Sequence, residues 1–280
     1  MKTNILQAIN SLIDNNLYSI ERYKALSYKI RINNMGEALE NLVKDALCNN
    51  FNLEADKRIA VQSEYFSYLG NQNNPPDLII RNGDAFEVKK IETNEGSVAL
   101  NSSFPKDKLY RSSNMITAAC KNCEADWSEK DICYIVGCVD KSEQIKSLWL
   151  VYGDCYCAKP EIYTRVKDKI TNAISELGIE LSETNEIAKV KKVDPLGITD
   201  LRVRGMWAIK HPSKVFEHIT TKSSKPHIKA VMLKSKFNSF DINSRNILSE
   251  KCNIKEVKIQ NPNNSANLLD AILIEYEFVV

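Results

Sequence analysis

The sequence predicts a mixed α/β fold in which a central sheet is flanked by helices and followed by a strand-rich C-terminal extension. Three observations predict it. Apolar residues recur at helical spacing through residues 4–14 and 33–47. An aliphatic run, a two-residue turn signal and a second apolar run follow one another over residues 77–91. Strand-like and helical patterns then alternate to residue 177, an order that fits layers of sheet and helix around one core.

In chain order, Ile5, Leu6, Ile9, Leu12 and Ile13 describe a short peripheral amphipathic helix. A second helix is expected to start at Asn33 or Asn34, either of which can cap it, and to bury Leu39, Leu42, Val43, Ala46 and Leu47. At ~100° per residue, Glu40 lies at the edge of that stripe and Glu37 nearly opposite it. Residues 57–68 are rich in β-branched and aromatic side chains and read as a strand, and residues 71–76 break the chain. Residues 77–81 form a strand, Asn82-Gly83 a hairpin turn, and residues 84–91 the antiparallel partner. Residues 112–125 are expected to be helical, 131–139 and 147–152 to be strands, and 160–177 to be a helix with proline in its first turn. Past Pro195 the pattern is strand-like, at residues 228–233, 254–260 and 271–280.

Composition narrows the function. With 280 residues, 43% hydrophobic and 26% charged, the chain can bury a substantial core and is neither collagen-like nor a coiled coil. The longest apolar run, residues 132–139, is far short of the ~20 residues of a spanning helix, and the N-terminus lacks the pattern of a secretion signal. A cytoplasmic protein with eight reduced cysteines is therefore expected. Cys120-x-x-Cys123 has the spacing of half a zinc site, but no second pair matches it. No P-loop, no G-x-G-x-x-G and no nucleophile elbow is present. A net charge of +2 announces no polyanion, but residues 201–236 carry nine Lys or Arg against the single acid Glu217, a run suited to phosphate contacts.

The chemistry concentrates in Pro76-Asp77-Leu-Ile-Ile-Arg-Asn-Gly-Asp-Ala-Phe-Glu87-Val-Lys89. Folding at Asn82-Gly83 brings Asp77 toward Glu87 and Lys89, which share one strand face while Val88 occupies the other. Asp77, Glu87 and the Val88 carbonyl form a donor set suited to Mg²⁺, a hard cation that keeps waters and accepts phosphate oxygens. Lys89 is placed to orient or help deprotonate an attacking water. Asp84 is read as turn chemistry.

This segment resembles the PD-(D/E)xK nuclease motif. Longer stretches are similar to type II restriction endonucleases of the NgoPII kind, which recognise GGCC: Gly36-Glu-Ala-Leu-Glu40, Phe66-Ser-Tyr-Leu-Gly-Asn71, Glu87-Val-Lys-Lys-Ile91, Ala99-Leu-Asn-Ser-Ser103 and Leu201-Arg-Val-Arg-Gly-Met-Trp207 among them. The similarity is legible over about residues 33–210. It implies a restriction-endonuclease-like core and a catalytic set of Asp77, Glu87 and Lys89, with Glu40 as an added acid beside the metal. It further implies a single nuclease domain, with a catalytic core over about residues 33–155 and a DNA-recognition subdomain over about 195–280. The expected substrate is double-stranded DNA, and a cognate methyltransferase would protect the host.

Asn101, Ser102, Ser103 and Lys106 follow the hairpin, where amide, hydroxyl and ammonium groups suit base edges or phosphates, although Ser103 equally suits a turn that caps a helix. Arg202 and Arg204 alternate along a strand and suit guanine or phosphate. A palindromic target is met most simply by a homodimer. Two other readings fit part of the pattern: a structure-selective repair nuclease and a non-catalytic DNA-binding regulator.

Overall fold

A computed structural model of the protein describes residues 3–24, 31–71, 74–93, 96–176 and 187–279. Helix α1 (Ile5–Asp14) is capped by Asn4, whose side chain accepts from the Gln7 amide. Its apolar stripe packs on α3 (Arg31–Cys48) and on a C-terminal helix, burying Ile5, Leu6, Ile9 and Leu12 and part of Ile13, while Gln7 and Asp14 stay exposed; the one-turn α2 (Glu21–Lys24) follows α1 in the chain. Asn33 and Asn34 fall inside α3, which begins earlier than its capping signals suggest.

Residues 57–68 are not one strand: α4 (Ala55–Tyr65) precedes β1 (Phe66–Asn71). The reason is tertiary. Arg58 and Gln62 are one helical turn apart and both donate to the buried Asp45 carboxylate, at 3.0 and 2.9 Å, where the Tyr23 hydroxyl also donates at 2.8 Å. Only a helix puts both side chains on one acceptor, and that outweighs the β-forming composition.

The expected hairpin is present as β2 (Asn74–Ile80) and β3 (Ala85–Ile91), turning at Asn82 with φ +55°. Then come β4 (Ser97–Asn101), β5 (Lys108–Tyr110) and the short α5 (Ala118–Lys121). The helix expected over residues 112–125 is thus reduced to one turn: the Ser113 hydroxyl accepts from the Met115 amide and holds a turn, and only at Thr117, whose hydroxyl caps α5 by accepting from the Cys120 amide, does a helix begin. Strands β6 (Glu129–Val139) and β7 (Ile145–Tyr152), then α6 (Gly153–Tyr156) and α7 (Pro160–Ser175), follow as the patterns predict, α6 excepted. Beyond residue 187 lie β8 (Ala188–Val190), β9 (Leu201–Val203), β10 (Trp207–Lys210), α8 (Pro212–Val215), β11 (His227–Leu233), α9 (Lys234–Ser239), α10 (Ile242–Lys251), β12 (Asn253–Asn261) and β13 (Asn264–Glu277).

The central mixed sheet runs β1-β2-β3-β6-β7-β11-β13-β12, with β5 beside β6. Strands β3 and β6 are parallel, as are β7 and β11, and the other neighbours are antiparallel. One face, with Phe86, Val88, Ile135, Leu150 and Ala230, packs against α1, α3 and α10. The other, with Ile79, Tyr134, Val136, Trp149 and Val231, is covered by the β4–β10 ribbon and the loops around it. No helix among the described residues is long and apolar enough to cross a membrane.

Candidate active site

The hairpin register sets the site. Leu78 pairs with Phe86 and Ile79 with Ala85, so the next step along the strands puts Asp77 opposite Glu87. There the ladder has opened, and the Val88 amide donates to Asp77 Oδ2 at 2.6 Å in place of a backbone partner. Because the amide and carbonyl of one strand residue point to the same side, the Val88 carbonyl opens toward Asp77 as well. Parity places Asp77, Glu87 and Lys89 on the same face as Ile79, Tyr134 and Val136.

Glu87 is 7% exposed, and its Oε1 lies 2.5 Å from Lys89 Nζ. Its Oε2 is buried with no hydrogen-bond donor among the described residues. Burial, and then the Glu87 carboxylate, push the Asp77 carboxyl well above the ordinary aspartate range. Burial by itself would lower the Lys89 ammonium, but the Glu87 and Asp77 carboxylates outweigh it and hold that lysine above its usual value. Glu40 pairs with Lys44 at 2.6 Å, while its field acts on both Asp77 and Lys89; Glu37 is exposed.

Two facing carboxylates, one with an orphaned buried oxygen, and an open carbonyl form an unbalanced anionic set that suits a divalent cation. Among the described residues no three His, Cys, Asp or Glu side chains gather into a cage, so the fit is to an ion that keeps waters and takes substrate oxygens.

The residues expected to read DNA separate into two groups. Asn101 ends β4, and its side chain lies outside the described residues. Ser102 and Ser103 are partly buried in the following turn, where the Ser103 amide donates to the Leu100 carbonyl at 3.2 Å. Lys106 is interior, 4% exposed; its ammonium donates to Ser103 Oγ and to the Phe104 carbonyl, and burial lowers it to about 8. Ser103, Lys106 and Tyr134 line a small polar cavity behind Glu87. Tyr134, which accepts from the Lys106 amide at 2.8 Å, carries no sequence signal; only the pairing of Glu87 with Tyr134 across β3 and β6 reveals it. Arg202 lies on β9 and Arg204 just past it, both exposed on the separate β8–β9 ribbon.

The NgoPII restriction endonuclease profile matches residues 3–263. The chain belongs to the NgoPII restriction endonuclease family. It is 46% identical to the type II restriction enzyme NgoPII of Neisseria gonorrhoeae over 279 residues, 98% of this chain and 99% of that protein. No solved structure matches. The family match extends beyond residue 210 to residue 263, so β11 and β12 belong to the NgoPII-family frame.

Proposed function

We propose that this NgoPII-family restriction endonuclease is a PD-(D/E)xK enzyme that hydrolyses phosphodiester bonds of double-stranded DNA within GGCC, using Mg²⁺ and a catalytic set of Asp77, Glu87 and Lys89. The family is one of type II, site-specific deoxyribonucleases, and 46% identity with such an enzyme over nearly the whole chain supports that activity here. The observation that supports the catalytic set is the opened ladder, with Asp77 opposite Glu87 and a buried Glu87 oxygen that has no hydrogen-bond donor among the described residues.

Asp77, Glu87 and the Val88 carbonyl would hold the cation. When bound, Mg²⁺ supplies polarisation of the scissile phosphate and stabilisation of charge on its oxygens. Glu87 Oε1 fixes the Lys89 ammonium, which the two carboxylates keep protonated, so that it orients the attacking water and offsets charge developing on the phosphate rather than taking the water's proton. The Val88 amide fixes the Asp77 carboxylate through Oδ2, so neither carboxylate reorganises as charge develops. Glu40 adds negative charge at the same strand end.

Arg202 and Arg204 are assigned to guanine or phosphate, and Asn101, Ser102 and Ser103 to the DNA backbone or base edges beside the cut. A two-fold protein on a palindromic site, a cytoplasmic location and a protecting methyltransferase complete this reading.

Digestion of plasmid DNA with Mg²⁺, with EDTA and with Asp77→Ala tests it. Discrete fragments ending within GGCC, lost in EDTA and in the variant, are expected, with two protomers per duplex by light scattering. Intact DNA would favour a non-catalytic binding protein, and cleavage without sequence preference a structure-selective nuclease.

A further inference from the structure

A cavity of about 400 Å³ lies away from the catalytic hairpin, on the same face of the central sheet. Its floor is Lys229 of β11, 4% exposed, whose ammonium donates to Thr220 Oγ1 at 2.5 Å and to the Thr221 carbonyl. Glu275 answers that charge from behind at 3.5 Å and is itself bonded to Lys255 at 2.9 Å. The exposed Lys214 and Lys222 line the mouth and have no acidic partner among the described residues, although Glu217 lines the same cavity. Hydroxyls of Ser213, Thr220 and Ser223 supply further polar groups.

The register fixes where this cavity stands. Lys229 pairs with Trp149, Trp149 with Val136, and Val136 with Lys89, so the floor lysine and the catalytic lysine share one row and one face. Three strand spacings of about 4.8 Å separate them by roughly 14 Å. At a rise of ~3.4 Å per nucleotide, that corresponds to about four nucleotides of one DNA strand. Two unpaired ammoniums over a polar floor suit a compact anion with several acceptor oxygens.

On the reading of this chain as a DNA endonuclease, we propose that the Lys214–Lys222–Lys229 cavity is a docking site for one backbone phosphate flanking the cut. It holds the duplex in register with Lys89 and reads no base. Glu217 opposes the phosphate and limits how tightly any sequence is held.

The test is equilibrium binding of the full chain to GGCC and non-GGCC duplexes in EDTA, from low to moderate salt. For the Lys214→Gln/Lys222→Gln double variant, the slope of log K against log salt is expected to become shallower by about 0.9, the value for one lost phosphate contact. Both duplexes should weaken equally, and Glu217→Gln should tighten both. A neutral methylphosphonate placed at successive flanking positions should weaken the wild type at one position and leave the double variant unaffected there. An unchanged slope, or weakening confined to the GGCC duplex, overturns the phosphate site while plasmid cleavage by the wild type still stands. Failure of the wild type to bind or cut any duplex would instead remove the nuclease reading on which the site depends.

Discussion

Charge at a single buried carboxylate sets a measurable pH dependence. Asp154 lies near the end of the sheet where β3 begins, and its Oδ1 is buried without a partner, because Lys236 is already held by Asp84 and Asp131 at 2.7 Å each. Burial, then the Asp131 carboxylate, push Asp154 up from 3.8 to about 6. A carboxyl raised in the folded state favours folding only while protonated, so its cost appears as pH rises from the unfolded value through about 6. The shift corresponds to ~1–2 kcal/mol after allowance for solvent screening. Asp154→Asn, which mimics the protonated form, should leave Tm unchanged at pH 4 and raise it by about 2–4 °C at pH 7.5. A rise of equal size at both pH values would show that the ionised form is not the source of the cost.

Between residues and fold, the strand β1 positions the hairpin of the candidate site through close backbone contact. Gly70 sits at an irregularity in the β1–β2 pairing, and a Cβ there would lie 2.3 Å from the Pro76 carbonyl oxygen and 3.1 Å from the Asp77 Cα. Both are backbone atoms and cannot swing away. Gly70→Ala should therefore displace Asp77 and lower kcat by about 10²-fold, the scale expected for a misplacement near 1 Å, while duplex binding stays close to wild type. Equal activity of the variant would mean that β1 yields and Asp77 does not. The same hairpin was the most legible element in the sequence, since Asn82-Gly83 fixes the turn and strand parity fixes which face Glu87 and Lys89 share. The strand misread over residues 57–65 fails for a long-range reason, because Asp45 draws Arg58 and Gln62 onto one helical face. Lys106 illustrates the same limit: nothing local in Ser-Ser-Phe-Pro-Lys says that the ammonium turns inward onto Ser103. Helices α9 and α10 went unseen because neither carries a marked apolar stripe, and α10 rests on its Asp241 cap.

At the scale of the whole molecule, β11 joins β7 in parallel and carries β13 and β12 with it, so the C-terminal strands extend the sheet that bears the candidate site. The protonation state of Asp77 at the β2–β3 opening therefore bears on the stability of that sheet. Without a cation, the raised Asp77 carboxyl makes ionisation unfavourable to the fold, and stability falls as pH rises through its folded value. A cation held by Asp77 and Glu87 reverses that effect and adds the mass-action term of a ligand bound only by the native state, ~2.7 kcal/mol at a hundredfold excess over Kd. Thermal unfolding at pH 7.5 should consequently move to higher temperature when Mg²⁺ replaces EDTA. Asp77→Asn keeps an acceptor for the Val88 amide but removes the buried charge. That variant should unfold above wild type in EDTA, gain almost nothing from Mg²⁺ and cut no DNA. Were Asp77→Asn less stable than wild type in EDTA, or were its response to Mg²⁺ undiminished, the carboxylate pair would be a structural feature of the hairpin, and the cation would have to be sought elsewhere on the sheet.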